Sequence, residues 1–289
     1  MIDKWLLVTA GFSPELHGAA LRIESQALNM QLFDTLVIDK KTLNLLCPEY
    51  FKRYEHILIS GSPGFGYYGW KPAIIDAVLN SKSSKYDGII WVDAGCEIFP
   101  SLWTRFRLKL WMRSAKKQGF WGFNLKTPER LFTKKKLFEY FPSISTFDES
   151  PQVQATFLIL HGDNGKAIAK KWNSVALTDL SVLDFSRSEQ GEDIDFIEHR
   201  CDQSIFSLII KSMGLKPSNL KPKPGQVGLR AIISAASHPI WTSRNRSSIT
   251  VVPNWLNFFG PVLLNMLPIN RRRMKHLKPY FQSIGVSDI

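Results

Sequence analysis

Two acidic side chains, Asp93 and Glu97, follow a short apolar run and lie four positions apart in the chain. The run, residues 88–92, is Gly-Ile-Ile-Trp-Val, and a continuous apolar segment of this length is typical of a buried parallel strand. Ligands of open α/β sheets bind at the carboxyl ends of such strands, and the small Ala94 and Gly95 would let a ligand approach the backbone. Because Mg²⁺ and Mn²⁺ prefer oxygen ligands, the two carboxylates predict a site for a divalent ion that bridges phosphate oxygens.

A second polar cluster, Glu-His-Arg-Cys-Asp-Gln-Ser at residues 198–204, stands at the start of an amphipathic segment. Asp202 is suited to cap the helix that follows. Polar side chains at a helix N-terminus that faces a sheet edge equally suit an anionic ligand or a developing charge. The two interpretations are compatible, so His199, Asp202 and Gln203 are candidate catalytic residues.

A glycine-rich loop precedes the first cluster, and its glycines have the spacing of a dinucleotide-binding fingerprint: Gly64, Gly66 and Gly69. This spacing would suit an NAD-dependent oxidoreductase, with Asp93 24 positions after the last glycine. Three aromatic residues crowd the loop, however, and Pro72 begins the next helix only after the last glycine. We therefore favour a different interpretation, in which Lys71 supplies a point charge for a phosphate.

The elements that must position these residues alternate between strand and helix patterns. The pattern predicts strands at residues 4–10, 35–39, 56–60, 88–92, 119–125 and 154–161. It predicts helices at residues 16–32 and 41–54, from Pro72 through Leu79, and at 134–141, 165–177 and 202–213, with a loop at 180–195. Such alternation is typical of a three-layer α/β core.

Composition fits one large α/β domain or two small ones in 289 residues. Hydrophobic residues make up 44% of the chain, and no apolar stretch reaches the length of about 20 residues that a membrane-spanning helix needs. The three cysteines, Cys47, Cys96 and Cys201, lie far apart, which argues against a disulfide framework or a zinc site. We expect a cytoplasmic protein.

The net charge of +12 is distributed unevenly. Acidic and basic residues nearly cancel before Gln203, and no acidic residue occurs from there to Ser287, a stretch with 12 Lys and Arg residues. A nucleic-acid partner is therefore not expected. The one-sided charge favours phosphate groups of a ligand or an anionic lipid surface.

The C-terminal residues 251–289 differ from the rest, so we predict a first domain at residues 1–250 and a basic, amphipathic extension. Residues 251–267 are rich in aromatic and aliphatic side chains but are interrupted by prolines, and the basic cluster 271–278 follows. An apolar segment beside a basic cluster is typical of an anchor on anionic lipid. We expect the protein to lie at the inner face of the membrane.

Four motifs in chain order carry a family resemblance: GFGYYGWKP, WVDAGCEI, QATFLI and HRCDQS. Together they resemble small nucleotide-sugar glycosyltransferases of the GT-A fold, in particular bacterial envelope-polysaccharide transferases, over roughly residues 4–213. The resemblance implies a GT-A-like, Rossmann-type mixed sheet flanked by helices. It also implies a nucleoside-diphosphate sugar as donor and a hydroxyl of a glycan or lipid-linked molecule as acceptor.

The resemblance implies a role for each motif. Asp93 would lie beside the ribose and diphosphate of the donor, and Asp202 and Gln203 would reach the reacting sugar carbon. The sugar and acceptor side would be lined by three consecutive residues, Gln154, Ala155 and Thr156. If the enzyme inverts configuration, the candidate bases for the acceptor hydroxyl are Asp202, Asp163 and His199; if it retains configuration, Gln203 or Asp202 would lie near the anomeric carbon.

The sequence departs from the family at Gly95, where most relatives have a second metal-binding aspartate. A metal would have to be held by Asp93 with Glu97, or with another residue such as His238. Alternatively, the enzyme needs no metal, and basic side chains neutralise the departing diphosphate: Lys211, Arg244 and Arg246. Because of this departure, a non-catalytic module that binds polyanions or membranes remains an alternative, beside the oxidoreductase.

Overall fold

A computed structural model describes residues 3–81, 84–98, 101–146, 148–189, 191–219, 240–242 and 244–249. The predicted extension at residues 251–289 and the candidate ligand His238 lie outside the described residues. Within the described part of the chain, no helix is both long enough and apolar enough to cross a bilayer.

A five-stranded mixed sheet forms the centre of the molecule, with the strand order β2-β1-β3-β6-β5. β1 pairs in parallel with β2 and β3, whereas β6 runs antiparallel to both β3 and β5. A separate pair of short strands, β4 and β7, is antiparallel. The strands are β1 (Trp5–Ala10), β2 (Asp34–Ile38), β3 (Gly88–Val92), β4 (Glu97–Ile98), β5 (Phe120–Pro128), β6 (Pro151–His161) and β7 (Ile240–Trp241).

Helices cover both faces of the large sheet. They are α1 (Pro14–Leu28), α2 (Lys40–Leu46), α3 (Pro48–Tyr54), α4 (Gly64–Tyr67), α5 (Trp70–Asn80), α6 (Leu102–Gln118), α7 (Glu129–Phe132), α8 (Lys135–Phe138), α9 (Gly162–Thr178) and α10 (Cys201–Ser212). The core on one face joins Ile74, Trp172 and Phe206, and the core on the other joins Ile23 and Trp111. The predicted fold class, a mixed sheet flanked by helices, is confirmed.

Local predictions differ from the structure at two places, and one helix was not predicted. Residues 56–60 form turns rather than a strand, because both sides of β1 are already paired and only Leu58 in this segment is buried, while Ile59 is exposed. The single helix expected at residues 41–54 is divided into α2 and α3 before Pro48, since a proline cannot donate the backbone hydrogen bond of a helix interior. Helix α6 was not predicted.

The carboxyl end of β3 is the edge at which the candidate residues meet. β6 pairs with β3 from His161↔Gly88 to Phe157↔Val92, so residues 151–156 of β6 extend beyond the last residue of β3. The N-terminal turns of α5 and α10 lie at the same edge, as the ion pairs of Lys71 and Asp202 show. The fold thus brings four distant segments of the chain to one edge of the sheet.

Candidate active site

Lys71 lies at the centre of the site. It stands in the first turn of α5 and is only 3% exposed. Its Nζ lies 3.0 Å from Asp93 Oδ1 and 3.1 Å from Asp202 Oδ2, and it donates a hydrogen bond to the carbonyl of Ala155 at 3.4 Å. The strand-end aspartate and the helix that carries Asp202 and Gln203 therefore converge, as the sequence predicted.

Asp93 is the accessible carboxylate of this group. Its backbone N–H donates to the carbonyl of Thr156 at 2.9 Å, and the indole Nε1 of Trp91 donates to Oδ1 at 2.7 Å. These bonds fix the carboxylate at the end of β3. The Asp93 side chain is 32% exposed, against 4% for Lys71 and 5% for Asp202. Asp93 is thus the most accessible side chain of the group.

Asp202 is buried at the beginning of α10. The N-cap of this helix is Arg200, so Asp202 is not the capping residue that the sequence also suggested, and its side chain points to Lys71 instead. Burial raises the pKa of Asp202 to about 6; Lys71 opposes this shift, and the negative charge of Asp93 adds to it. A carboxyl group with a pKa near neutrality is suited to accept a proton.

Two carboxylates share the single ammonium of Lys71. Burial alone would lower the pKa of Lys71, but the charges of Asp202 and Asp93 outweigh it, so the pKa is raised and the ammonium stays protonated. With both carboxylates ionised, the group carries a net charge of −1. A buried carboxylate and a partly exposed one thus share one cation.

Gln203 is oriented by two hydrogen bonds. Its Oε1 accepts from the backbone N–H of Ala155 at 3.3 Å, and its Nε2 donates to Gln152 Oε1 at 2.8 Å. Gln154, on the same strand, is 7% exposed, and its Oε1 has no hydrogen-bond partner among the described residues. The structure therefore brings the β6 segment of residues 154–156 beside Asp93 and Gln203.

Gln152, which sequence reasoning missed, links this site to a buried polar network. Its Nε2 lies 3.2 Å from Glu129 Oε1 and 3.2 Å from Ser204 Oγ, and its Oε1 also accepts from Arg200 Nη1 at 3.2 Å. Glu129 is fully buried and pairs with Lys211 at 2.8 Å. The alternation of Gln152, Gln154 and Thr156 in the sequence was the signal that could have indicated a polar strand start.

The glycine loop does not have the geometry of a dinucleotide-binding turn. Five consecutive residues, from Gly64 to Tyr68, have positive φ angles, between 51° and 92°. No strand precedes them, because residues 56–60 form turns, and α5 begins at Trp70, after the last glycine. The strand–turn–helix context that the fingerprint requires is missing. The loop instead places the ring of Tyr68 5.8 Å from Lys71 Nζ.

His199 has a structural environment. Its Nε2 lies 2.9 Å from the carbonyl of Val182, and its Nδ1 accepts from the backbone N–H of Lys134 at 3.4 Å. Burial lowers the pKa of His199 to about 3, so the ring is neutral at pH 7. Both ring nitrogens are therefore engaged with backbone groups, and the predicted catalytic role for His199 does not fit this arrangement.

Two other residues that were predicted to take part in the site, Asp163 and Lys211, do not contact it. Asp163 follows the end of β6 that pairs with Gly88, at the edge of the sheet opposite to Asp93, and thus cannot serve as a base there. Lys211, proposed to neutralise a diphosphate, pairs with Glu129 and with Asp148 at 2.7 Å. These corrections follow from strand direction and ion pairing, which the sequence alone did not give.

Glu97 is buried and bound by two neighbouring side chains. It is 1% exposed, and its Oε1 accepts from Asn245 Nδ2 at 2.5 Å and lies 3.8 Å from Arg22 Nη1. Gly95 supplies no side chain, and Asp93 Oδ1 already faces two donors. Among the described residues, no group of three or more His, Cys, Asp or Glu could hold a metal ion. The described side chains thus do not form the metal site that was predicted from Asp93 and Glu97.

A basic segment, residues 244–249, lies on the loop that follows β3. The backbone N–H of Asn245 donates to the carbonyl of Gly95 at 3.0 Å, and a Cβ added to Gly95 would lie 3.5 Å from Cα of Arg244. Arg244 and Arg246 are exposed. The predicted donor-binding residues on either side of this contact are therefore neighbours in the fold.

No family model and no curated protein matches the sequence. Among solved structures, the chain is similar to mouse xyloside xylosyltransferase 1 in its apo form, with a TM-score of 0.44 and 12% identity over 86% of this chain and 100% of that chain. It is also similar to the galactosyltransferase LgtC in complex with donor and acceptor sugar analogues, with a TM-score of 0.41 and 12% identity over 93% and 99% of the two chains. A third similar structure is the apo WbbM bifunctional glycosyltransferase, with a TM-score of 0.41 and 10% identity over 77% and 39%. At these scores the function has to be inferred from the geometry of the site.

Proposed function

We propose that this chain is a glycosyltransferase that moves a sugar from a nucleoside-diphosphate donor to a hydroxyl of a glycan or lipid-linked acceptor. One observation carries the proposal: Asp93 and Asp202 share the buried ammonium of Lys71 at the carboxyl end of β3, beside Gln203 and the beginning of β6. This is the edge at which ligands of α/β sheets bind. The four motifs of the family resemblance meet there.

Different residues of the site bind different parts of the donor. Asp93, the accessible carboxylate, faces the ribose and diphosphate, and Ala94 and Gly95 let the diphosphate approach the backbone. Asp202 and Gln203 face the reacting sugar carbon. Gln154, whose buried amide oxygen has no partner among the described residues, is assigned with Ala155 and Thr156 to the sugar and acceptor side.

In the reaction, the bond between the anomeric carbon and the diphosphate oxygen breaks while a bond to the acceptor oxygen forms. The negative charge of Asp202 and the amide dipole of Gln203 stabilise the oxocarbenium-like carbon. If configuration is inverted, the proton of the acceptor hydroxyl passes to Asp202, whose pKa of about 6 suits a base at neutral pH. If configuration is retained, Gln203 or Asp202 lies on the face opposite the leaving group, and the proton passes to the departing diphosphate.

The departing diphosphate carries negative charge that must be compensated. Arg244 and Arg246, exposed on the segment that lies over Gly95, supply that charge in our proposal. A divalent ion would have to be held by Asp93 with another residue, such as His238, because Glu97 is bound by Asn245 and Arg22.

A screen of nucleotide sugars tests the proposal. UDP-, GDP- and dTDP-sugars are added to the protein with Mn²⁺ or with EDTA, and both the melting temperature and the release of nucleoside diphosphate are measured, with NAD as the comparison ligand. We expect one nucleotide-sugar class to stabilise the protein and to be turned over, with loss of turnover in Asp93→Ala. Stabilisation by NAD alone would favour an oxidoreductase. Donor hydrolysis that is unchanged in Asp93→Ala would favour a non-catalytic module.

The sequence of residues 251–289 supports a second part of the proposal, peripheral binding to an anionic membrane at its cytoplasmic face. Each Lys or Arg near such a surface contributes about 1 kcal/mol. Replacing Arg271, Arg272 and Arg273 together by Gln should weaken co-sedimentation with phosphatidylglycerol-containing vesicles, while turnover of a water-soluble acceptor stays unchanged. Equal vesicle binding by the two proteins would contradict the membrane anchor.

A further inference from the structure

Arg22 is a buried cation in the middle of α1. Its neighbours on the buried face of the helix are mostly apolar: Ala19, Ala20, Ile23 and Ala27. Arg22 is only 5% exposed. A buried charge is costly unless hydrogen bonds compensate it, so the partners of this guanidinium identify what the residue is for.

The guanidinium joins two segments that are far apart in the chain. Nη2 donates to the carbonyls of Ala94 at 3.0 Å and Cys96 at 2.8 Å, in the loop after β3. The same nitrogen lies 3.0 Å from the carbonyl of Asn245, and Nη1 donates to the carbonyl of Ser247 at 2.5 Å. One side chain of α1 therefore fastens residues 244–249, which we name the strap, to the loop that carries Asp93.

Further contacts hold the strap in the same place. Asn245 donates its backbone N–H to Gly95 and its side-chain amide to Glu97, and β7 pairs with β4 just before the strap begins. Arg244 has a φ of 55°, a left-handed conformation that is unfavourable for a residue with a side chain. Such a conformation persists when the surrounding contacts determine it. The backbone of Arg244 is consequently fixed against Gly95.

We propose that Arg22 is a positioning residue, which through the strap holds Arg244 and Arg246 where the second phosphate of a nucleoside diphosphate binds. The inference rests on the proposed function. Nη1 and Nη2 of Arg22 donate to backbone carbonyls, so we assign Arg22 no direct contact with the ligand. Without Arg22, the carbonyls of the loop and of the strap lose their common donor, and the two basic side chains lose their fixed position. Binding of the second phosphate should suffer more than binding of the nucleoside and first phosphate.

The test compares ligands that differ by one phosphate. Affinities of the full-length protein for UDP and UMP, and for GDP and GMP, are measured by titration calorimetry in EDTA, for wild type, Arg22→Met and Arg22→Lys. Arg130→Met, which removes a surface arginine paired with Glu149 and Asp195, is the matched control. We expect Arg22→Met to lower the diphosphate-to-monophosphate affinity ratio by about 10-fold and Arg22→Lys to lower it less, because lysine keeps the charge but not the forked donors.

Asn245→Ala keeps Arg22 and loosens the strap, so it provides the measurement if Arg22→Met does not fold. It should lower the same ratio. Hydrogen exchange of the amides at residues 244–249 should become faster in both variants. An unchanged ratio, or an equal loss of diphosphate and monophosphate affinity, would overturn the positioning role while leaving the proposed function intact. A wild-type protein that binds no nucleotide, either in EDTA or with Mn²⁺, would overturn the proposed function, and this role with it.

Discussion

Asp93 and Asp202, which are 109 positions apart in the chain, bind the same ammonium group. Lys71 Nζ is 3.0 Å from the first and 3.1 Å from the second. The partly exposed carboxylate and the buried one therefore form a single electrostatic unit with Lys71. Removal of the charge of one member should change the electrostatic energy of the other two.

Removal of the shared cation should destabilise the protein. In Lys71→Met, the buried Asp202 carboxylate at pH 8 loses its only described ion-pair partner, and breaking a buried pair in this way costs about 3–5 kcal/mol of the free energy of unfolding. The double variant Lys71→Met/Asp202→Asn should recover part of that loss. Urea denaturation measures the free energy of unfolding of both variants.

The matched control is the exposed pair of Lys85 and Asp34, at 3.6 Å. Lys85→Met should change the free energy of unfolding by less than about 1 kcal/mol. If Lys71→Met were no more harmful than Lys85→Met, the buried unit would not exist in solution.

The rate of turnover should depend on pH through Asp202. Burial first, and the charge of Asp93, raise the pKa of Asp202 to about 6 against the opposing effect of Lys71. A base acts in its ionised form, whose fraction grows as pH rises past the pKa. We expect kcat to increase from pH 5 to 7 and then to level off, and the Asp202→Asn variant to lack this dependence in its residual activity. A wild-type kcat that is flat or falling over the same range would exclude Asp202 as the base.

Gln152 should act on the reaction through Gln203. It accepts a hydrogen bond from Gln203 Nε2 at 2.8 Å and is itself oriented by Glu129. In Gln152→Leu, the amide of Gln203 loses this orientation, and misplacement of a group at the reacting carbon can cost up to about 100-fold in rate. We expect kcat to fall much more than KM changes.

Gln118→Leu is a suitable control for this change, since Gln118 Nε2 donates to the carbonyl of Phe120 at 2.9 Å outside the site. It should lose stability without a selective loss of kcat. Equal kcat values in Gln152→Leu and Gln118→Leu would show that the network only stabilises the fold.

His199 should lower the free energy of unfolding at acidic pH. Burial lowers its pKa to about 3 in the folded chain, whereas an unfolded histidine has a pKa of about 6.5. Between these values only the unfolded chain binds the proton, so the free energy of unfolding falls as pH drops below 6.5, by up to about 1.4 kcal/mol per pH unit. The raised pKa of Asp202 acts with the opposite sign, so variants must be compared at equal pH.

His199→Gln should therefore lose stability at pH 8 but show a smaller further loss between pH 6.5 and 5 than wild type. His56→Gln, at an exposed histidine, should keep the wild-type slope. Parallel slopes for wild type and His199→Gln in urea denaturation would contradict the buried, neutral ring.

Part of the site could be predicted from simple sequence patterns. The apolar run at residues 88–92 predicted β3, and the carboxyl end of that strand predicted the position of Asp93. The short run at residues 56–60 was misleading, since whether Leu58 joins a sheet depends on whether a neighbouring strand has a free edge. Helix α6 was missed because basic residues stand between its buried residues and obscure the apolar face of the helix.

The partners inside the site were harder to predict. Lys71 was expected to bind phosphate, yet the structure buries its ammonium between two carboxylates. Glu97 and His199 were expected at the ligand, and each is held by groups from distant segments: Arg22 and Asn245 for the first, Val182 and Lys134 for the second. Arg22 carries no motif at all. Such pairings depend on tertiary contacts that local pattern does not contain.

The most direct measurement is the rate of nucleoside diphosphate release from the donor in Asp93→Asn, Asp202→Asn and the double variant, with Asp34→Asn as the exposed control. If the two aspartates form one catalytic unit, each single variant should lose at least about 100-fold in kcat, and the double variant should be little worse than the poorer single one, because residues that act together are not additive. The melting temperature of Asp93→Asn should stay close to that of wild type. Near wild-type turnover in either single variant, or losses that multiply in the double variant, would show that Asp93 and Asp202 do not act on one sugar diphosphate.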